Sequence, residues 1–167
     1  LLRAGAPDHL AFRVATQAIN EHVATLGSVL AEVLPNSMQL IVFDEPLMVD
    51  LMSNDFPLAP DAVADMLSGV MASAQTFGVV GLHCCFEADW PSLLEAGPQV
   101  LSMPATEAVV DVSGYLDRFM QNGGRIAWGA VGTEGPVGVS AGRSWKALSG
   151  IWCEMVPVSY THLTLPT

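Results

Sequence analysis

The chain alternates short apolar runs with longer segments of helical period, and this alternation most limits the folds open to it. Four runs are short and nearly all apolar, as in the buried strands of parallel sheets: residues 38–43, 79–82, 100–103 and 125–131. Helical spacing marks five other segments: residues 8–34, 60–78, 89–95, 107–121 and 143–156. Strands that alternate with helices pair in parallel through right-handed crossovers. The sequence therefore predicts βα units around one parallel sheet.

Four βα units fit either half of a (β/α)8 barrel or a small doubly wound sheet. The chain has no Gly-x-Gly-x-x-Gly after its first strand and no Walker loop, which argues against a nucleotide-binding sheet. We therefore predict an α/β fold that is a partial (β/α)8 TIM barrel of about four βα units. The first helix is expected to turn an apolar seam inward, made of Ile19, Val23, Leu26, Leu30 and Val33.

Two segments are distinguished along the chain. Residues 1–157 are interpreted as the C-terminal half of a (β/α)8 barrel, truncated, with a Gly-rich loop at 132–142. Residues 158–167 contain three Thr, no acid and no helical period, and we interpret them as a non-native translated adaptor tail; a short strand is the alternative. Half a barrel leaves strand edges unpaired, so the fragment is expected to be poorly soluble or to self-associate.

Charge and cysteine content exclude several classes of partner. The net charge is −11, with six Lys plus Arg against seventeen Asp plus Glu, so no basic face exists for nucleic acid or for an anionic membrane surface. No apolar run approaches the roughly 18 residues of a membrane span. Of the three cysteines, Cys84 and Cys85 are adjacent and form a poor disulfide framework. We expect a cytoplasmic protein with reduced thiols.

Polar residues follow the predicted strands at their carboxyl ends, where parallel α/β sheets bind ligands. His83 and Cys85 follow the second strand, and residues i and i+2 at a strand end point to one side, so both can reach one ion while Cys84 turns away. Imidazole plus thiolate is a ligand set that zinc prefers, but a zinc site needs at least three protein ligands and two are visible. The alternative is structural packing with an inert thiol.

Two further features have both a functional and a structural interpretation. Asp44 and Glu45 end the first apolar strand, and they either recognise a substrate's amino group or polar head, or form a capping or salt-bridge pair at the loop entrance. Cys153, inside the last predicted helix, is expected to be a buried, inert thiol.

Several motifs together resemble the cobalamin-independent methionine synthase and uroporphyrinogen decarboxylase superfamily, and most closely its short, methionine-synthase-like members. The resemblance covers about residues 8–156, in order. The motifs are Val42-Phe43-Asp44-Glu45-Pro46, Gly81-Leu82-His83-Cys84-Cys85 with Asp89-Trp90, Val100-Leu101-Ser102, and Ala127-Trp128-Gly129-Ala130-Val131.

The resemblance implies a (β/α)8 barrel in which zinc binds the thiol of homocysteine, and the resulting thiolate attacks a methyl group carried on a folate. It maps the family's His-x-Cys ligands onto His83 and Cys85, and the aspartate that holds the substrate's amino group onto Asp44. The chain departs from the pattern where a Glu ligand falls near Pro104 and where Phe86-Glu87 replaces Gly-Asn. The family's last Cys ligand lies on a strand beyond this chain, so the third ligand is expected to be missing from the fragment.

The leading hypothesis is thus a fragment of a zinc-dependent, methionine-synthase-like methyltransferase acting on a small thiol and a methyl donor. His83 and Cys85 would bind the metal, and Asp44 with Glu45 would bind substrate. The alternatives are a metal-free, decarboxylase-like lyase on the same barrel and a non-catalytic barrel relative that binds a small ligand. The lyase alternative lacks the Arg cluster that the decarboxylases use.

Overall fold

The computed structural model describes residues 5–129, 145–146 and 148–155. Over these residues helices and strands alternate in the order α1 (Asp8–Val33), β1 (Leu40–Asp44), α2 (Pro60–Ala74), β2 (Val79–His83), α3 (Trp90–Glu95), β3 (Val100–Pro104), α4 (Ser113–Gln121) and β4 (Arg125–Gly129). Short 3-10 helices precede α2 and α4, at Pro46–Asp50 and Glu107–Val112. Residues 145–146 and 148–155 are helical and are called the C-terminal helical segment here. The predicted Gly-rich loop and tail lie outside the described residues.

The four strands form one parallel sheet in the order β1-β2-β3-β4. Each strand therefore adds next to the one before it, with a helix in every connection. A doubly wound sheet reverses its strand order at a switch point, and these four strands show no reversal. The prediction of an α/β fold with parallel strands is confirmed, and the four described strands contain no switch point.

The two faces of the sheet have different surroundings. One face packs against the helices, and its central residues Leu82 and Leu101 are fully buried with Met71 of α2. The opposite face, which we call the open face, leaves Leu40 and Val42 of β1 exposed by 58% and 46%. Side chains alternate between the faces along each strand. Every second residue of the sheet is therefore directed away from the helical core.

The expectation for the apolar seam of α1 is wrong except at one residue. Val23 is buried, whereas the other four are exposed: Ile19 38%, Leu26 48%, Leu30 39% and Val33 67%. The helix instead comes close to Phe77 at Gly27, where a Cβ would overlap the aromatic ring. The helix packs through its small residues, and its seam of large apolar side chains points outward.

The predicted helix at 107–121 begins as a 3-10 helix, and α4 proper starts only at Ser113. Three valines within Glu107–Val112 disfavour the α conformation, because β-branched side chains lose χ1 freedom against the preceding turn. The residues predicted to face inward in this helix do so, since Leu116 is buried and Val112 and Phe119 pack against the core. Within the described part of the chain, no helix is both long and apolar enough to cross a membrane.

Candidate metal centre

Asp44 and His83 are the last residues of neighbouring parallel strands and are paired in register. Both belong to the open face, because their positions alternate with residues that pack on the helices. The strand that the sequence predicts as ending before Asp44 thus extends one residue further and includes it. Cys85 lies two residues beyond His83, so the chain returns it to the same side.

The ligand atoms of these three side chains all lie within 4.8 Å of one another. The closest pair is His83 Nε2 and Cys85 Sγ, at 2.9 Å. His83 is half-buried, whereas Asp44 and Cys85 are exposed, so the cluster is at the rim and accessible from solvent. Among the described residues, this is the group of His, Cys, Asp and Glu side chains arranged to hold a metal ion.

The donor set and its size fit a zinc ion. Imidazole nitrogen, thiolate sulfur and carboxylate oxygen bind zinc at about 2.0 to 2.3 Å, which puts two tetrahedral ligands roughly 3.3 to 3.8 Å apart. The 2.9 Å between His83 Nε2 and Cys85 Sγ is shorter than that interval, and the limit of 4.8 Å for all three atoms is longer, so small side-chain rotations at the exposed rim can supply the adjustment. The thiolate and carboxylate together carry two negative charges, which a divalent cation balances. Three protein ligands leave the fourth position open, as in catalytic rather than structural zinc sites.

Backbone hydrogen bonds continue the sheet past the strand ends and hold the three side chains in place. The Glu45 N–H donates to the His83 carbonyl at 2.9 Å, which ties the residue after Asp44 to β2. The Cys84 N–H donates to the Ser102 carbonyl at 3.2 Å, which ties the residue between the other two ligands to β3. Asp44 and His83 therefore lie on the sheet itself, and Cys85 lies just beyond β2, on a segment that the Cys84 hydrogen bond ties to β3.

Ser102 is a site residue to which the sequence interpretation gave no role. Its hydroxyl lies 2.9 Å from His83 Nδ1, and it is paired with His83 in the register of β2 and β3. The sequence did contain a signal for this role: Ser102 is the polar residue in the otherwise apolar run at residues 100–103, near the carboxyl end of the strand. Pro104, the next residue of β3 on the open face, offers no donor atom to a metal.

Glu45 does not belong to the group of converging ligand atoms. It is half-buried, and burial raises the pKa of its carboxyl above the ordinary value, with the charge of Asp44 raising it further. Its proposed contact with substrate stays a prediction, as does that of Asp44. The carboxylate of Asp44 is placed where it can serve either as a third metal ligand or as a contact for an amino group.

The three cysteines have different environments. Cys84 is fully buried in the core, as the alternation predicted, and burial is the main cause that raises the pKa of its thiol. Cys85 is exposed beside His83. Cys153 is also exposed, so the expectation of a buried thiol there is wrong. It lies in the C-terminal helical segment, whose buried residues are Ile151 and Met155 on the other side of the helix.

A second concave region lies on the helical side of the sheet, with a cavity of about 310 Å³ between β4 and the C-terminal helical segment. Its lining is almost wholly apolar: Trp128, Trp145, Leu148, Ser149, Trp152 and Cys153. It does not contain any of the three converging ligand side chains. The three converging ligand side chains are therefore at the rim of the open face, apart from this cavity.

No family model matches this chain. Searches among curated proteins and among solved structures find no match either. The resemblance to the methionine synthase superfamily therefore rests on the motifs of the sequence alone.

Proposed function

We propose that the chain binds zinc through Asp44, His83 and Cys85 and forms part of a methionine-synthase-like methyltransferase that acts on a small thiol. The observation that carries the proposal is the convergence of the three ligand atoms within 4.8 Å at the carboxyl edge of the sheet. It adds a third protein donor to the His-x-Cys pair, which is the minimum for a catalytic zinc site.

The fold supports this location for a site. A parallel sheet in the order β1-β2-β3-β4, with helices on one face and an open second face, is the arrangement expected for part of a (β/α)8 barrel. In such barrels the active site lies at the carboxyl ends of the strands, where Asp44 and His83 are found. The open face would then be the barrel interior.

The ligand chemistry favours zinc over the hard cations. Magnesium and calcium prefer sets made of oxygen donors, whereas a thiolate with an imidazole selects a softer ion. When bound, zinc would supply an open coordination position at which a small thiol is held as its thiolate. The exposure of Asp44 and Cys85 leaves that side of the site open to a small molecule.

The zinc content of two double variants tests the site. His83→Ala with Cys85→Ser removes two of the three ligands, and His22→Ala with Cys153→Ser makes the same changes at exposed positions outside the cluster. After loading with zinc and dialysis, elemental analysis of the full chain should find about one ion per chain in the control and none in the site variant. Equal zinc content in the two double variants would contradict the proposal.

A second candidate function is favoured by one residue, Pro104. Because it offers no donor where the methionine synthases place a ligand, the chain fits a non-catalytic barrel relative that binds a small ligand. Titration of homocysteine into the cobalt-substituted chain separates the two. A change in the cobalt absorption spectrum shows a thiol entering the coordination sphere, as the methyltransferase requires. An unchanged spectrum with cobalt bound would favour the non-catalytic relative.

A further inference from the structure

We infer that Ser102 is a positioning residue, whose hydroxyl holds the His83 ring with its Nε2 atom turned toward Asp44 and Cys85. The inference rests on the proposed function for its metal readout, but its structural basis is the contact between two side chains. Ser102 lies on β3, a strand that contributes none of the three ligand side chains.

Both nitrogens of the His83 ring have a partner, and the two partners differ in kind. Nδ1 faces the Ser102 hydroxyl at 2.9 Å, and Nε2 faces the Cys85 sulfur at 2.9 Å. Rotation of the ring by half a turn would exchange the nitrogens for carbons and break both contacts. The ring orientation is therefore determined from both ends, and the end opposite the metal ligands is held by Ser102.

The contact with Ser102 also bears on which nitrogen of His83 can bind a metal. A metal on Nε2 needs the lone pair of that nitrogen, so the ring proton must be on Nδ1. In that tautomer the Ser102 hydroxyl oxygen would accept a hydrogen bond from Nδ1–H across the 2.9 Å between the two atoms, and we infer that this favours the tautomer. In metal sites, such outer partners of a histidine ligand set its orientation and raise its basicity.

Ser102 acts on the same ligand pair through its backbone. Its carbonyl accepts the hydrogen bond from the Cys84 N–H, at 3.2 Å, and Cys84 is the residue between His83 and Cys85. Ser102 thus makes two contacts with this segment. Its carbonyl binds the backbone between His83 and Cys85, and its hydroxyl contacts the His83 ring. Substitution of the Ser102 side chain removes the hydroxyl contact with the His83 ring and leaves the backbone hydrogen bond to Cys84. The role of the hydroxyl can therefore be tested alone.

The test compares Ser102→Ala and Ser102→Thr with the unsubstituted full chain, with Ser68→Ala at an exposed position of α2 as control. Zinc affinity is measured by competition with a chromophoric chelator. We expect a loss of roughly 10- to 100-fold in Ser102→Ala and recovery in Ser102→Thr, which keeps the hydroxyl. Thermal melts of the metal-free chains serve to show that the alanine variant is folded.

A second readout does not require metal. Long-range ¹H–¹⁵N spectra of the metal-free chain report the tautomer of His83, with the ring signals assigned by their loss in His83→Ala. We expect the Nδ1–H form in the unsubstituted chain and a shift toward the Nε2–H form in Ser102→Ala. A purely structural role for Ser102 would not move this equilibrium.

The outcomes separate this inference from the proposed function. If the unsubstituted chain binds no zinc, the proposed function fails, and the tautomer measurement decides the role of Ser102 by itself. If the chain binds zinc but Ser102→Ala binds it equally well, the inference is overturned and the metal site stands. Loss of affinity in both Ser102→Ala and Ser102→Thr, with both variants folded, would also overturn it, because the hydroxyl would not be the cause.

Discussion

Asp44 and His83 face each other as register partners on adjacent parallel strands, and Ser102 is the next member of the same row. Neighbouring strands lie about 4.8 Å apart, so the row places a carboxylate, an imidazole and a hydroxyl side by side on one face of the sheet. Cys85 then reaches the row from the turn that follows β2. The positions of these candidate site residues are therefore set by strand register, and the following predictions test the parts of the site.

Asp44→Asn should lower the zinc affinity by about 100-fold or more, since loss of an outer-shell partner alone costs roughly 10- to 100-fold. The substitution keeps the size of the side chain but removes the charge that a metal ligand supplies. Competition with a chelator measures the change, and Asp65→Asn at an exposed site on α2 is the control. An unchanged affinity would mean that Asp44 is an amine contact, the role that the family resemblance implies, and not a ligand.

The three cysteines should differ in alkylation, and zinc should change the reactivity of one of them. Cys85 and Cys153 are exposed, so both should react with iodoacetamide in the native, metal-free chain, whereas buried Cys84 should react only after unfolding. Zinc should protect Cys85 and leave Cys153 reactive, which makes Cys153 an internal control. Mass spectrometry of peptides after timed alkylation gives the rates. Protection of both exposed thiols by zinc, or of neither, would contradict the site.

Glu45→Gln should stabilise the metal-free fold at neutral pH and lose this advantage in acid. The folded-state pKa of Glu45 lies above the ordinary value of 4.5, because of burial and then the charge of Asp44. The folded chain thus binds this proton more tightly than the unfolded chain, and the wild-type stability falls as the pH rises through the interval between the two values. Glutamine has no charge to desolvate, so the variant escapes that loss.

Chemical unfolding in the presence of a chelator, repeated across this pH range, measures the effect of Glu45→Gln. The unfolding free energy of Glu45→Gln minus that of the wild type should be positive at pH values above the raised pKa. It should approach zero at pH values below the ordinary pKa of a glutamate. Glu87→Gln, at an exposed position, is the control. A difference that does not vary with pH would show that the charge of Glu45 is not its cause.

Much of the fold follows from local patterns that a sequence displays directly. The parallel strands were predictable because apolar runs and helical periods depend on neighbouring residues only. The opposite environments of Cys84 and Cys85 were predictable for the same reason, since side chains alternate at a strand end. These features need no knowledge of which elements touch.

The remaining features depend on contacts between distant residues. The side of α1 that packs on the core includes Gly27 against Phe77, and no helical pattern within α1 reveals that partner. The role of Ser102 depends on its pairing with His83 across two strands, which a strand boundary predicted to within a residue or two does not determine. For the same reason the sequence predicted two metal ligands and a substrate contact at Asp44, and the distance that makes the Asp44 carboxylate a candidate third ligand emerged only with the register.

Gly78→Ala should destabilise the fold by about 1 to 3 kcal/mol, the usual range for overpacking. A Cβ at residue 78 would overlap the carbonyl oxygen of Gln39, which is backbone and accepts the Val79 N–H at 2.9 Å in the first bond between β1 and β2. Relief of the overlap must therefore displace the pairing that brings Asp44 beside His83, so the zinc affinity should fall as well.

Gly69→Ala is the matched control, because nothing lies within 4 Å of a Cβ there, and alanine in the interior of α2 should stabilise by about 0.5 to 1 kcal/mol. Urea unfolding of both variants, with and without zinc, measures their unfolding free energies. A Gly78→Ala chain as stable as wild type would show that β1 and β2 do not need this close approach.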